Sequence, residues 1–159
     1  MLDLTIPTEL YRELEGCILK GCYKYTPAGN RVSVLYFEKV PGCDSTLTRR
    51  EGTKDLEGLL FTSDDAVLKD SNSSGIIFDL SGLEYITSEG VSLLLSSENR
   101  AIRSGKPILL TVPSDNIKTI LIQMGVIKVF EFYESVEQAI AKFEDKFSRI
   151  QELSRKEPQ

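Results

Sequence analysis

Residues Gly75 to Leu95 read GIIFDLSGLEYITSEGVSLLL, and this stretch decides the fold. Ile76, Ile77 and Phe78 form a short apolar run, rich in β-branched and aromatic side chains, that suits a buried strand. Asp79 and Ser81-Gly82 supply the turn chemistry that ends it. Leu83, Tyr85 and Ile86 return towards the core, and Thr87-Ser88 stand where a helix should begin. Val91, Leu94, Leu95 and Ile102 then follow helical spacing, which gives that helix an apolar face. The expectation is a strand, a short connection, and a helix whose first turn carries two hydroxyls.

Such a helix start has a chemical use. Its first N–H groups are unpaired and carry a partial positive charge. A hydroxyl there caps the helix, and a phosphate on that hydroxyl meets backbone donors and a favourable dipole. Ser88 can therefore exist as serine or phosphoserine without refolding, while the surface charge changes by about two units. That suits a binding switch better than catalysis. On the local pattern alone, Ser88 reads first as a plain helix cap and Asp79 as a turn-forming carboxylate. Gly90 then serves close packing of the helix start.

Composition removes several alternatives. The 159 residues suffice for one domain with terminal additions, and the net charge of -5 gives no basic stripe for a nucleic acid. No apolar run approaches the ~20 residues needed to span a bilayer, so no direct membrane insertion is expected. The acidic N-terminus has no signal-peptide character, so a cytoplasmic protein is expected. The three cysteines, Cys17, Cys22 and Cys43, do not make a disulfide framework. No histidine or second cysteine pair completes a metal site. The lack of histidine also removes the commonest general base, and no glycine-rich phosphate loop is present. The expectation is a protein that is not an enzyme and holds neither metal nor cofactor.

Outside the central stretch, Thr8 to Gly16 reads as a short helix. Cys22–Tyr25 and Arg31–Val40 read as a hairpin about Pro27-Ala28-Gly29-Asn30. Pro41 to Gly52 is irregular, and Thr53 to Lys69 carries helical spacing. Arg103-Ser104-Gly105 ends the central helix, Ile108 to Val112 forms a strand, and Pro113-Ser114-Asp115-Asn116 caps a helix with Ile117, Ile120, Leu121 and Met124 on one side. Gly125 stops it, a short β-rich run follows within Val126–Tyr133, and Glu134-Ser135 opens a last helix. Its seam of Val136, Ile140, Phe143, Phe147 and Ile150 must be covered, by the domain in preference to a second chain. Alternating strands and helices make an α/β domain with a mixed sheet.

Three pieces, IIFDLSGLEYITSEGVSLLL, SGKPILLTV and SDNIKTILIQMGVIKVFEFYES, resemble in their order the STAS domain of sulfate transporters and anti-sigma factor antagonists. The likeness covers residues 31–142 and is strongest from Ile76 to Ser135. Members of this family typically show an apolar strand ending in Asp-Leu-Ser-Gly, here Asp79 to Gly82, and a phosphorylatable serine before a glycine-containing helix, here Ser88 to Gly90. A later helix ends in Gly-apolar, here Gly125-Val126, before a Ser-x-x-x-Ala helix, here Ser135 to Ala139.

The resemblance implies a small mixed sheet with helices packed mainly on one face. Residues 1–30 then form an N-terminal extension with a short helix and the first strand, and residues 143–159 an elongated C-terminal helix. It also implies a regulatory binding module. The unphosphorylated form binds an anti-sigma factor that is also a serine kinase, phosphorylation breaks the complex, and a phosphatase restores it. The modification site carries over to Ser88, with Thr87 as its alternative, and the docking surface to Asp79, Thr87, Ser88, Glu89, Gly90 and Ser92. The C-terminal helix is the candidate homodimer surface. Many antagonists have Asp-Ser-Ser-Gly where this chain has Thr87-Ser88-Glu89-Gly90, and Glu89 beside a phosphate costs about 1 kcal/mol in solvent. The alternative role is a constitutive scaffold or an accessory subunit of a membrane transport system.

Overall fold

The computed structural model describes residues 17–39, 71–111 and 114–156, with residues 4–5, 12–14 and 46–47 and single positions at 58, 60 and 69. Its strands are β1 (Leu4–Thr5), β2 (Arg12–Leu14), β3 (Cys17–Tyr25), β4 (Arg31–Lys39), β5 (Thr46–Leu47), β6 (Gly75–Asp79), β7 (Tyr85–Ile86), β8 (Ile108–Thr111) and β9 (Phe132–Tyr133). The helices are α1 (Ser88–Ser104), α2 (Asp115–Gln123) and α3 (Val136–Lys156). The main sheet runs β1-β3-β4-β6-β8-β9, with β2 also paired to β3. β4, β6, β8 and β9 are parallel, while β3 is antiparallel to β4.

β6 lies mid-sheet because both of its faces are apolar. Ile76 and Phe78 join one buried cluster with Leu35, Val91, Leu94, Ile117 and Leu121, which belong to β4, α1 and α2. Ile77 joins the other with Val34, Leu109, Ala139 and Phe143, which places α3 on the opposite face. Two helices thus cover one side and one covers the other. Such double burial explains the unbroken apolar runs of β6 and β8. Gly75 is required at the start of β6, since a Cβ there would stand 2.6 Å from the Pro107 carbonyl oxygen and 2.7 Å from the Phe143 ring.

The seam of α3 is covered within the chain: Phe143 is fully buried, and Ile150 is buried. Polar bonds fix its register. Lys146 Nζ donates to the Ile108 carbonyl (2.7 Å) and pairs with Glu98 of α1 (3.3 Å). Asn30, in the β3–β4 turn, donates to both carboxylate oxygens of Glu144 at 2.8 and 3.0 Å. Gln151 reaches the Gly105 carbonyl at the end of α1.

One expected element is different. Arg12–Leu14, the middle of the anticipated Thr8–Gly16 helix, forms strand β2, with Arg12 opposite Leu19 and Leu14 opposite Cys17. Only two residues, Glu15 and Gly16, separate that last pair, which is the spacing of a tight hairpin. The long β3 edge offers ladder hydrogen bonds that outweigh a weak local helix preference. β3 itself begins at Cys17, earlier than the expected strand at Cys22. The helical segments anticipated over Thr53–Lys69 lie outside the described residues, apart from single positions at 58, 60 and 69, of which Leu60 is buried. Within the irregular Pro41–Gly52 stretch, Thr46 and Leu47 pair in parallel with Tyr85 and Ile86.

Candidate functional site

The site is built where β6 hands the chain to α1. Asp79 ends the strand, and its Oδ1 accepts three hydrogen bonds: from Ser81 N (3.0 Å), Ser81 Oγ (2.6 Å) and Thr111 Oγ1 (2.9 Å). It thereby caps the 3₁₀ turn Leu80–Gly82. Thr111 Oγ1 also accepts from Leu80 N (3.2 Å), so the end of β8 clamps the same turn. A Cβ on Gly82 would run into the Phe37 carbonyl of β4, so the turn lies directly against that strand. Clamped on two sides, the turn fixes where β7 and the helix after it emerge.

β7 alternates as a half-buried strand should, with Ile86 buried and Tyr85 51% exposed. Tyr85 therefore faces outward, not into the core as the sequence suggested. Thr87 follows in extended geometry (φ -93°, ψ 175°) and is the N-cap of α1, its Oγ1 accepting from Gly90 N at 3.5 Å. Ser88 is the first helical residue and is exposed. Its hydroxyl makes one hydrogen bond among the described residues, a long one of 3.4 Å to Glu89 Oε2. Glu89 is exposed in the first turn, Gly90 and Val91 are buried, and Ser92 is exposed one turn beyond Ser88. Ser88 and Ser92 thus share the outer face of α1.

The six expected site residues do not form one cluster. Thr87, Ser88, Glu89 and Ser92 gather at the helix start, and Gly90 lies beneath them. Asp79 is committed to Ser81 and Thr111 and acts through the turn. Sequence reasoning missed Thr111 and Tyr85. The signal for Thr111 was a hydroxyl closing an otherwise apolar strand, and for Tyr85 the alternation with Leu83 and Ile86 across a bend.

Chemically, the rim offers a reachable hydroxyl at the positive end of a 17-residue helix, with a carboxylate at its side. Among the described residues no group of three or more metal-ligating side chains forms, and no described helix is long and apolar enough to cross a membrane.

Residues 31–139 match the sequence profile of the STAS domain. The fold is similar to that of a putative anti-sigma factor antagonist from Thermotoga maritima, with a TM-score of 0.57 at 16% identity, covering 77% of this chain and 92% of that one. It is also similar to the anti-sigma factor antagonist SpoIIAA in its unphosphorylated form, with a TM-score of 0.55 at 15% identity, covering 77% and 96%. A sulfate transporter family protein from Wolinella succinogenes gives a TM-score of 0.52 at 17% identity, covering 81% and 93%. No curated protein matches the chain in sequence.

Proposed function

Because the chain belongs to the STAS domain family, we propose that it is a non-enzymatic regulatory module whose docking surface is switched by phosphorylation of Ser88. The observation that carries this reading is the division of labour at the helix start: Thr87 caps, and the Ser88 hydroxyl points to solvent. A modifying kinase can reach it without unfolding the helix. The partner is a serine-kinase-type anti-sigma factor, and a phosphatase resets the site. The docking face comprises Thr87, Ser88, Glu89 and Ser92, with Gly90 below them, and Asp79 holds the turn that presents them.

The phosphate acts by charge. Added to Ser88, it brings about two negative charges onto a rim that already carries Glu89, and it desolvates badly against an apolar or acidic partner surface. The helix N-terminus stabilises the modified form, so the module itself keeps its fold.

Incubation with a serine-kinase-type anti-sigma factor and ATP, followed by mass analysis of the peptide containing Ser88, tests the reading. Phosphate on Ser88 and loss of the complex are expected. Ser88→Asp should abolish binding, and Ser88→Ala should bind whether or not kinase and ATP are present. No phosphate, with unimpaired binding, would favour a constitutive scaffold or an accessory subunit of a transport system. Unchanged affinity in the Asp variant would refute the switch.

A further inference from the structure

Where α3 begins, a cavity of about 460 Å³ opens against the carboxyl ends of β4 and β6. Its position follows from strand alternation. Val34 and Ile77 face α3, so Tyr36 and Asp79, two residues further along each strand, emerge on that same side. Tyr36 and Asp79 are also direct partners in the β4–β6 register. The cavity therefore lies on the face that α3 covers, while α1 and its Ser88 belong to the other.

Its lining has a definite chemistry. Val34 and Val136 provide apolar surface, and among the described residues Asp79, Glu134 and Glu137 contribute three carboxylates against one ammonium, that of Lys24. The hydrogen bonds that Asp79 accepts all fall on Oδ1, which leaves its Oδ2 without a partner among the described residues. The carboxylates of Glu134 and Glu137 likewise make no hydrogen bond or ion pair among them. The start of α3 carries a partial positive charge of about half a unit, which the three carboxylates outweigh, and its Ser135 Oγ accepts from Gln138 N (3.0 Å). The volume is that of a small-molecule site, and such sites in α/β proteins lie outside the carboxyl ends of the strands.

We propose that this cavity binds a small organic cation, an amine or guanidinium on an aliphatic stem. The cationic end lies against Asp79 and the two glutamates, and the stem covers Val34 and Val136. Phosphate-bearing molecules are repelled by the same carboxylates. The site can be tested apart from the Ser88 reading, since Glu134 and Glu137 lie off the α1 rim and Asp79 touches that rim only through the turn it holds.

Agmatine is a suitable probe, titrated into the isotopically labelled chain and followed by amide NMR at constant ionic strength. Saturable shifts confined to the amides of Tyr36, Asp79, Ser81 and Val136 are expected. The exposed pair Glu134→Gln/Glu137→Gln, which cannot disturb the core, should weaken binding about tenfold. Glu152→Gln, elsewhere on α3, should leave it unchanged. No saturation at millimolar agmatine, equal binding of glutarate, shifts spread along all of α3, or undiminished affinity in the double variant would each overturn the proposal.

Discussion

Thr87 and Ser88 are adjacent hydroxyls with opposite assignments: Thr87 Oγ1 faces the helix and accepts from Gly90 N, whereas the exposed Ser88 hydroxyl meets only Glu89 among the described residues. The stability contributions should differ accordingly. Thr87→Ala removes a cap whose bond is long, and should cost about 0.5–1 kcal/mol. Ser88→Ala should stay within about 0.5 kcal/mol, as surface substitutions generally do. Urea unfolding of the two variants checks the order. A larger loss for Ser88→Ala would mean that Ser88 is the structural residue.

Glu89 makes the switch less complete than an uncharged neighbour would. A phosphate on Ser88 and the Glu89 carboxylate repel by about 1 kcal/mol across solvent. Glu89→Gln should therefore make phosphorylated Ser88 more favourable by roughly fivefold, read as the equilibrium constant for reversible phosphate transfer between ATP and Ser88 with the kinase alone. An unchanged constant would show that solvent screens the pair fully.

Gly82 controls where the rim is held. Gly82→Ala drives a methyl group into the Phe37 carbonyl, which belongs to a central strand and cannot swing aside. Overpacking of that kind costs about 1–3 kcal/mol. Gly125→Ala is the comparison: nothing lies within 4 Å of its added methyl, and the cost there comes only from a left-handed backbone (φ +73°). Calorimetric unfolding should show the larger loss at Gly82, together with shifted amide resonances for Tyr85 to Ser88. Resonances unmoved at the rim would show that the turn does not position it.

The passage from β6 through α1 was legible because three independent signals agree there: a run apolar on both faces, a turn carboxylate, and hydroxyls ahead of a helical period. Gly105 and Gly125 were legible as helix ends for the same local reason, and both adopt positive φ. Arg12–Leu14 was not legible. Its spacing suits a helix, and its strand state is decided by β3, a partner that no local window contains. The separation of Asp79 from Ser88 was hidden as well. Nine residues apart in sequence, they are parted by a turn whose direction depends on Thr111 of β8 and Phe37 of β4. Local chemistry named the right residues at the helix start, while long-range pairing decided which of them face one another.

Tyr133 supplies a prediction at alkaline pH. Burial, then the neighbouring charge of Glu131 and the hydrogen bond Tyr133 donates to Glu131 Oε2 (3.1 Å), push its pKa up to about 12. Burial also works against the Glu131 carboxylate, yet hydrogen bonds from Tyr133 and Arg149 and the charges of Arg149 and Lys146 outweigh it and hold that pKa below its ordinary value. The neutral phenol is thus favoured in the folded chain, where β9 and α3 meet. Between about pH 10 and 12 the unfolded chain loses the Tyr133 proton while the folded chain retains it, so stability falls as pH rises through this window. Below about pH 10 the contribution is fully present. Tyr133→Phe should flatten the pH dependence of urea-unfolding free energy across that window, with little change near neutrality because the hydrogen bond is solvent-exposed. Identical slopes in the two proteins would show that Tyr133 titrates as an ordinary tyrosine, and that the Glu131 contact does not hold its proton.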